Sequence, residues 1–217
     1  MRRAIAIVSA LIPALVCARE IPPPEAEYAR NVASYSARGA LDEPRMLARV
    51  RPIAARLIRA GAAERPDSAA WPWEVHVTSD PSMSAFCIAG GKILVGSAFV
   101  RRLDLDDAEL AMLIAHEMAH ALAGHRRARV PVTSMDADPA EETRASQVAV
   151  AQEDEADRLG MQLAARAGWT PASLVGFFDK LAASQPEGTF STSHAAPAMR
   201  ADNAREFARR ILVQPTQ

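Results

Sequence analysis

The sequence lacks a set of paired cysteines and lacks any excess of one charge. Only two cysteines, Cys17 and Cys87, occur in 217 residues, and this excludes a disulfide framework. Lysine and arginine number 25 and aspartate and glutamate 26, so the formal net charge is −1. A protein that binds nucleic acid usually carries a basic surface for the phosphates. We therefore expect no nucleic-acid partner.

The apolar run at the N-terminus is too short for a membrane-spanning helix, which needs ~20 apolar residues. The chain begins with a basic pair, continues with apolar residues over 4–16, and has small residues around Ala18. This order predicts a secretory signal peptide over 1–18 and an exported, periplasmic protein. The alternative is a lipoprotein with a lipid on Cys17, which would add peripheral membrane association.

The rest of the chain has the composition of a soluble globular protein, with 49% hydrophobic and 24% charged residues. A proline-rich linker is expected at 19–25, followed by a single domain over 26–217. Alternating residues predict a strand at 73–78, and two short apolar stretches around Gly90 and Gly91 predict a hairpin.

Apolar residues at helical spacing predict helices through most of the remaining chain. Asp106 and Glu109 form the pattern of a capping box at the start of a central helix that ends near Gly124. Pro139 is assigned to a polar loop. The expected helices are 26–35, 43–60 ending at Gly61, 107–123, 143–167 after that loop, 171–183 and 197–212. These elements predict a mainly helical α+β fold with a small antiparallel sheet.

A metal-binding motif lies in the middle of the central helix, where His116, Glu117 and His120 form an HExxH pattern. Residues four positions apart in a helix are ~40° apart around its axis, so both imidazoles can bind one ion. Glu117 is ~100° from His116, near enough to act as a general base without binding the metal.

A catalytic zinc site needs a third protein ligand and an open position. Glu153 and Asp157, four residues apart on the next long helix, are both candidates. One of them would bind the metal, while the other would accept a hydrogen bond from a ligand histidine. Gly160, one turn further on, would let the two helices pack closely.

The chain from Trp73 to Arg200 resembles the gluzincin peptidases, which include the HtpX-type heat-shock peptidases, the CAAX prenyl endopeptidase and the periplasmic beta-barrel assembly-enhancing protease. The resemblance rests on the hairpin at 85–95, the HExxH motif and the EDEADRLG stretch that begins at Glu153.

This resemblance implies a zincin-like domain with one Zn²⁺ per chain, in which Glu153 is the third ligand and Asp157 orients the site. It also implies that Phe86, Cys87, Ile88 and Ala89, at the edge of the hairpin, hold an extended substrate. The expected partners are polypeptides, including misfolded proteins of the cell envelope.

A late segment around His194 also resembles the family, although Ala195 stands where the family usually has proline. The resemblance implies that His194 stabilises the oxyanion or closes the site as a reversible fourth ligand; a surface loop histidine is the alternative. Arg200 is expected to be either a buried partner of an acidic residue or a solvated charge.

These observations favour a zinc metalloendopeptidase with a role in protein quality control. Two other functions stay open. One is a latched or plugged zinc-binding chaperone or assembly factor with little proteolysis, and the other is a structural zinc site without turnover.

Overall fold

The computed structural model describes residues 23–125, 139–184 and 197–213. Within these ranges the fold is mainly helical with one small sheet, as the sequence predicted. The elements are α1 (Pro24–Ala37), α2 (Pro44–Glu64), β1 (Glu74–Thr78), β2 (Ala85–Ile88), β3 (Lys92–Gly96), α3 (Ser97–Arg102), α4 (Asp107–Ala123), α5 (Pro139–Arg166), α6 (Pro171–Ser184) and α7 (Pro197–Val213), with a short 3₁₀ helix at Pro66–Ala70. None of the helices described is both long and apolar enough to cross a membrane. The predicted signal peptide lies outside the described residues.

The sheet has the strand order β1-β3-β2 and is mixed rather than purely antiparallel. Strands β2 and β3 form the predicted hairpin, and its turn contains Gly90 and Gly91, both at positive φ, where glycine carries no steric penalty. Strand β1 instead pairs with β3 in parallel. The chain reverses twice between these two strands, so β3 returns to the direction of β1.

The two faces of the sheet pack against different helices. Alternate residues of β2 and β3 point into the main core, which also contains the apolar residues of α4; they are Ala85, Cys87, Ile93 and Val95. On the other face, Phe86 and Leu94 pack with Tyr28 and Tyr35 of α1. Period-two alternation therefore places α1 and α4 on opposite sides of the hairpin.

The sequence predicted that helix α2 ends at Gly61, but the helix continues to Glu64. A Cβ atom at Gly61 would lie 3.3 Å from Cδ1 of Leu122 on α4. The glycine therefore serves the close contact between α2 and α4 instead of ending the helix. Pro66 follows shortly after the last helical residue, and it starts the 3₁₀ helix.

Helix α5 begins at Pro139, although the sequence analysis assigned this proline to a loop. Proline is well tolerated in the first turn of a helix, because the N–H that it lacks has no intrahelical acceptor there. The helix has 28 residues. It is therefore roughly 42 Å long at ~1.5 Å per residue.

Helices α4 and α5 approach each other closely at Gly160. A Cβ atom at this position would lie 2.9 Å from Cε of Met112 and 3.0 Å from the backbone nitrogen of His116. Any larger residue would push α5 away from α4. This contact lies about one turn of helix from Asp157 and two turns from Glu153, the acidic residues that the sequence proposed for the metal site.

Candidate metal centre

Helix α4 carries both histidines of the motif and is firmly fixed at its two ends. The side chain of Asp106 accepts hydrogen bonds from the backbone N–H groups of Ala108 and Glu109, and the side chain of Glu109 bonds back to the cap. At the other end Gly124 adopts a left-handed conformation, which closes the helix. Nearly all of α4 between these caps is buried, so the two imidazoles project from a rigid element.

His116, His120 and Glu153 converge on one point. The two Nε2 atoms of the histidines lie 3.2 Å apart. The carboxylate of Glu153 on α5 lies 3.5 Å from Nε2 of His116 and 3.2 Å from Nε2 of His120. One ligand atom from each of these residues thus falls within a single small cluster.

The spacing of these atoms fits a zinc ion. Ligand atoms around a tetrahedral zinc, at bonds of about 2.0–2.1 Å, are separated by about 3.3 Å. The two Nε2 atoms are 3.2 Å apart, and the carboxylate of Glu153 places Oε1 3.2 Å from Nε2 of His120 and Oε2 3.5 Å from Nε2 of His116. Two imidazole nitrogens and one carboxylate are also the donor set that catalytic zinc sites use, with a further position open.

Comparison with known proteins shows which family the chain is similar to. Residues 44–140, somewhat less than half of the chain, match the model of Peptidase family M48. Over this region the chain is similar to that peptidase family. The matched region runs from the start of α2 through the HExxH motif of α4 and ends before Glu153. The second helix of the site, with Glu153 and Asp157, therefore rests on the structure rather than on this match.

The chain is also similar to proteins named as a protease or as metalloendopeptidases. It is 28% identical over 178 residues to the Beta-barrel assembly-enhancing protease of Yersinia pestis, a match that covers 67% of this chain and 36% of the relative. It is 43% identical over 53 residues to the Mitochondrial metalloendopeptidase OMA1 of Arabidopsis thaliana, covering 24% of this chain and 11% of the relative. The corresponding OMA1 of Saccharomyces cerevisiae is 44% identical over 55 residues, covering 24% of this chain and 16% of that protein. The chain thus spans about a third or less of the length of these relatives.

The second nitrogen of His116 is held by Asp157. Nδ1 of His116 lies 2.9 Å from Oδ1 of Asp157. Burial lowers the pKa of His116, although the nearby Asp157 acts in the opposite direction. The imidazole is therefore neutral, and its Nδ1–H donates to Asp157. This leaves the lone pair of Nε2 directed at the cluster.

Arg200 of α7 lies beneath this pair as a buried cation. Its Nε and Nη2 atoms donate to the two carboxylate oxygens of Asp157 at 2.8 and 2.6 Å, and Nη1 lies 3.4 Å from Glu153. Burial alone would raise the pKa of Asp157, but the hydrogen bonds from His116 and Arg200 and the charge of Arg200 lower it. Of the two alternatives for Arg200, the structure has the buried partner of an acidic residue.

Glu117 follows His116 on α4 and is also buried, with 5% of its surface exposed. Its charge is among the effects that raise the pKa of Arg200, after those of Asp157 and Glu153. Glu117 therefore lies within electrostatic range of the same cluster. A carboxylate held in this position can exchange a proton with a group bound at the site.

His125 and Glu155 belong to the surroundings of the site, which the sequence analysis missed. In the structure Nδ1 of His125 lies 3.0 Å from Nδ1 of His120, and Nε2 of His125 lies 3.2 Å from Glu155. The sequence feature that indicates this contact is Gly124, because a left-handed residue there turns the chain back over the last helical turn.

The four residues proposed to hold substrate lie at the start of the hairpin, next to α4. Phe86, Cys87 and Ile88 belong to β2, which is an outer strand among the three described, and Ala89 starts the turn. The side chains of Phe86 and Cys87 are buried on opposite faces, so a ligand at this edge would meet mainly backbone. His194 lies outside the described residues.

We expect that Asp157→Asn weakens both the fold and the metal site. The amide keeps the shape and an acceptor for His116, but it removes the charge that Arg200 needs, and breaking a buried ion pair costs about 3 kcal/mol. Zinc affinity should fall ~10-fold or more, as for other supporting partners of metal ligands. The measurements are urea unfolding of the metal-free protein and zinc titration against a competing chelator.

Asp154→Asn is the matched control for this prediction. Asp154 is on the same helix, but it forms an exposed ion pair with Arg158, and such pairs contribute less than about 1 kcal/mol. Equal stability and zinc affinity of the two variants would contradict the role given to Asp157.

Proposed function

We propose that this chain is a zinc-dependent endopeptidase that cleaves extended or misfolded polypeptides in the cell envelope. The observation that carries the proposal is the triangle of His116, His120 and Glu153, with atoms 3.2–3.5 Å apart, next to the buried Glu117. Similarity to a peptidase family over 44–140 and to proteins named as metalloendopeptidases supports hydrolysis of peptide bonds.

The three residues of the triangle would hold zinc, and Glu117 would move the proton. Zinc held by such a set supplies Lewis-acid polarisation of a carbonyl and makes water acidic enough to attack near neutral pH. Glu117 accepts the proton of the attacking water and returns it to the nitrogen of the leaving amine. Burial keeps His116 in its neutral form, and Asp157, held by Arg200, accepts the hydrogen bond of its Nδ1–H so that Nε2 is available.

Substrate would bind by its backbone along β2. An extended peptide that pairs with a strand is held by main-chain hydrogen bonds, which depend on conformation more than on sequence. The position of β2 beside α4 supports this, because a peptide along that strand would pass near the histidines. Extended chain is common in unfolded proteins, so we propose a role in protein quality control.

We also propose that the protein acts outside the cytoplasm. The support is the basic, apolar and small-residue order of 1–18. Among the relatives is one named Beta-barrel assembly-enhancing protease. The intact mass of the chain purified from a bacterial host should correspond to a start at Arg19. A mass that begins at Cys17 with added acyl chains would instead establish the lipoprotein, and an uncleaved chain in the cytoplasm would contradict export.

We expect Glu117→Gln to retain zinc and to lose at least about 100-fold in the rate of casein cleavage, because general acid–base catalysis contributes a factor of about that size or more. Glu153→Ala should lose both zinc and activity. Zinc content by elemental analysis and casein cleavage measure the two effects. Glu64→Gln, which changes an exposed partner of Arg166, is the control and should retain both.

The same experiment separates the endopeptidase from the chaperone alternative. A wild-type protein that binds zinc and unfolded casein without cutting it would favour the latched or plugged chaperone. Casein cleavage by Glu117→Gln at the wild-type rate would show that the assigned base is wrong.

Peptides with single N-methyl groups test the proposed backbone recognition. A methyl group on a substrate nitrogen that faces β2 removes one hydrogen bond, and we expect kcat/KM to fall about 5- to 10-fold, as a net loss of about 1–1.5 kcal/mol gives. Methylation at the next nitrogen, which faces away, is the matched control. An equal response at all positions would argue against strand pairing.

A further inference from the structure

His125 lies against the ligand histidine His120, just after α4 ends. Gly124, at φ 72°, turns the chain so that the backbone N–H of His125 donates to the carbonyl oxygen of His120 at 2.9 Å. The side chain of His125 is only 7% exposed. Its ring centroid lies 5.1 Å from that of His120, and the two planes are 69° apart. The turn therefore aims one imidazole at the edge of the other.

The hydrogen bonds of this pair have one direction when Glu155 is ionised and His125 is neutral. Nε2 of His125 lies 3.2 Å from Oε2 of Glu155, and an ionised carboxylate can only accept. Nε2 of His125 therefore carries the hydrogen, and Nδ1 of the neutral ring has a lone pair. Because the two Nδ1 atoms are 3.0 Å apart, Nδ1 of His120 must donate.

This direction decides which nitrogen of His120 is available to a metal. With the hydrogen on Nδ1, the Nε2 atom of His120 has its lone pair, and it is this atom that lies 3.2 Å from both Nε2 of His116 and Glu153. We infer that His125, anchored by Glu155, is a positioning residue that holds His120 in the Nδ1–H tautomer with Nε2 directed at the metal.

Each of the two ligand histidines then has an acceptor for its Nδ1–H that is connected to a carboxylate, but the connection differs between them. Asp157 accepts directly from Nδ1 of His116, whereas His125 is inserted between His120 and its carboxylate. The value of this second support to metal binding rests on the proposed function. The contact between the two Nδ1 atoms does not, because it follows from the turn at Gly124.

The test begins with the tautomer in the metal-free protein. In protein with ¹⁵N-labelled histidine, long-range ¹H–¹⁵N spectra distinguish Nδ1–H from Nε2–H imidazoles. We expect His120 to be the Nδ1–H form in the wild type and to lose this preference in His125→Ala. In His125→Asn the amide oxygen replaces the accepting Nδ1, so the Nδ1–H form should return. A merely space-filling role for His125 would leave the tautomer unchanged in all three proteins.

Zinc affinity is the second readout, measured against a competing chelator. We expect His125→Ala to bind zinc 10- to 100-fold more weakly, as for other partners that orient metal ligands, and His125→Asn to recover most of this loss. Glu155→Ala should lose only a few-fold, because its carboxylate is 58% exposed. Since the two act in series, the double variant should be no weaker than His125→Ala alone.

His76→Ala is the matched control. His76 is another half-buried histidine bound to a carboxylate, with Nδ1 2.7 Å from Asp42, and it lies on β1. It should change neither the His120 signals nor zinc affinity. Unchanged tautomer and affinity in His125→Ala would overturn the inference. A wild type that binds no zinc but shows the expected tautomers would overturn the proposed function and leave this inference standing.

Discussion

The site depends on how closely helices α4 and α5 approach each other. At Gly160 there is no room for even one more carbon atom between α5 and the backbone of His116. Asp157 and Glu153 lie about one and two turns before this contact, on the face that meets α4. The contact therefore fixes the carboxylates opposite the imidazoles. A wider helix pair would move the carboxylates away from the imidazoles.

This packing buries charged side chains, and buried charges need partners of opposite sign. Within the part of the chain that the structure describes, the buried charged groups at the site are the carboxylates of Glu117, Glu153 and Asp157 and the guanidinium of Arg200, none more than 6% exposed. With neutral histidines, three negative charges and one positive charge leave a formal excess of −2. Burying charge is costly unless the charge is paired, so this excess among the described residues would favour a divalent cation at the triangle.

Much of this arrangement could be predicted from the sequence, because it depends on local spacing. The HExxH motif and the pair Glu153 and Asp157 each repeat at four residues, which specifies a face of a helix, and the capping box at Asp106 marks where α4 begins. Predictions failed where a residue that is typical of a local feature takes part instead in a contact between distant elements. Gly61 looked like a helix end but provides the contact with Leu122, and the parallel pairing of β1 depends on two chain reversals that no local pattern records. The contact of His125 with His120 depends on the direction in which the chain leaves a left-handed glycine, so spacing rules did not find it.

The two histidines are supported on sides of the site that differ in their exposure to water. The side chain of His116 is 3% exposed and that of its partner Asp157 is 9% exposed, and the side chain of Arg200 behind them is 5% exposed. The side chain of His120 is 16% exposed, and that of Glu155, behind its partner His125, is 58% exposed. Hydrogen bonds between charged groups are strong where water is excluded and are screened where water has access. The deep ligand is therefore held by an ion pair that needs burial. The outer ligand is held by a neutral imidazole, whose support depends on hydrogen-bond direction and so survives contact with solvent. A site that must admit a substrate on one side can stay ordered there only with a support of this second kind.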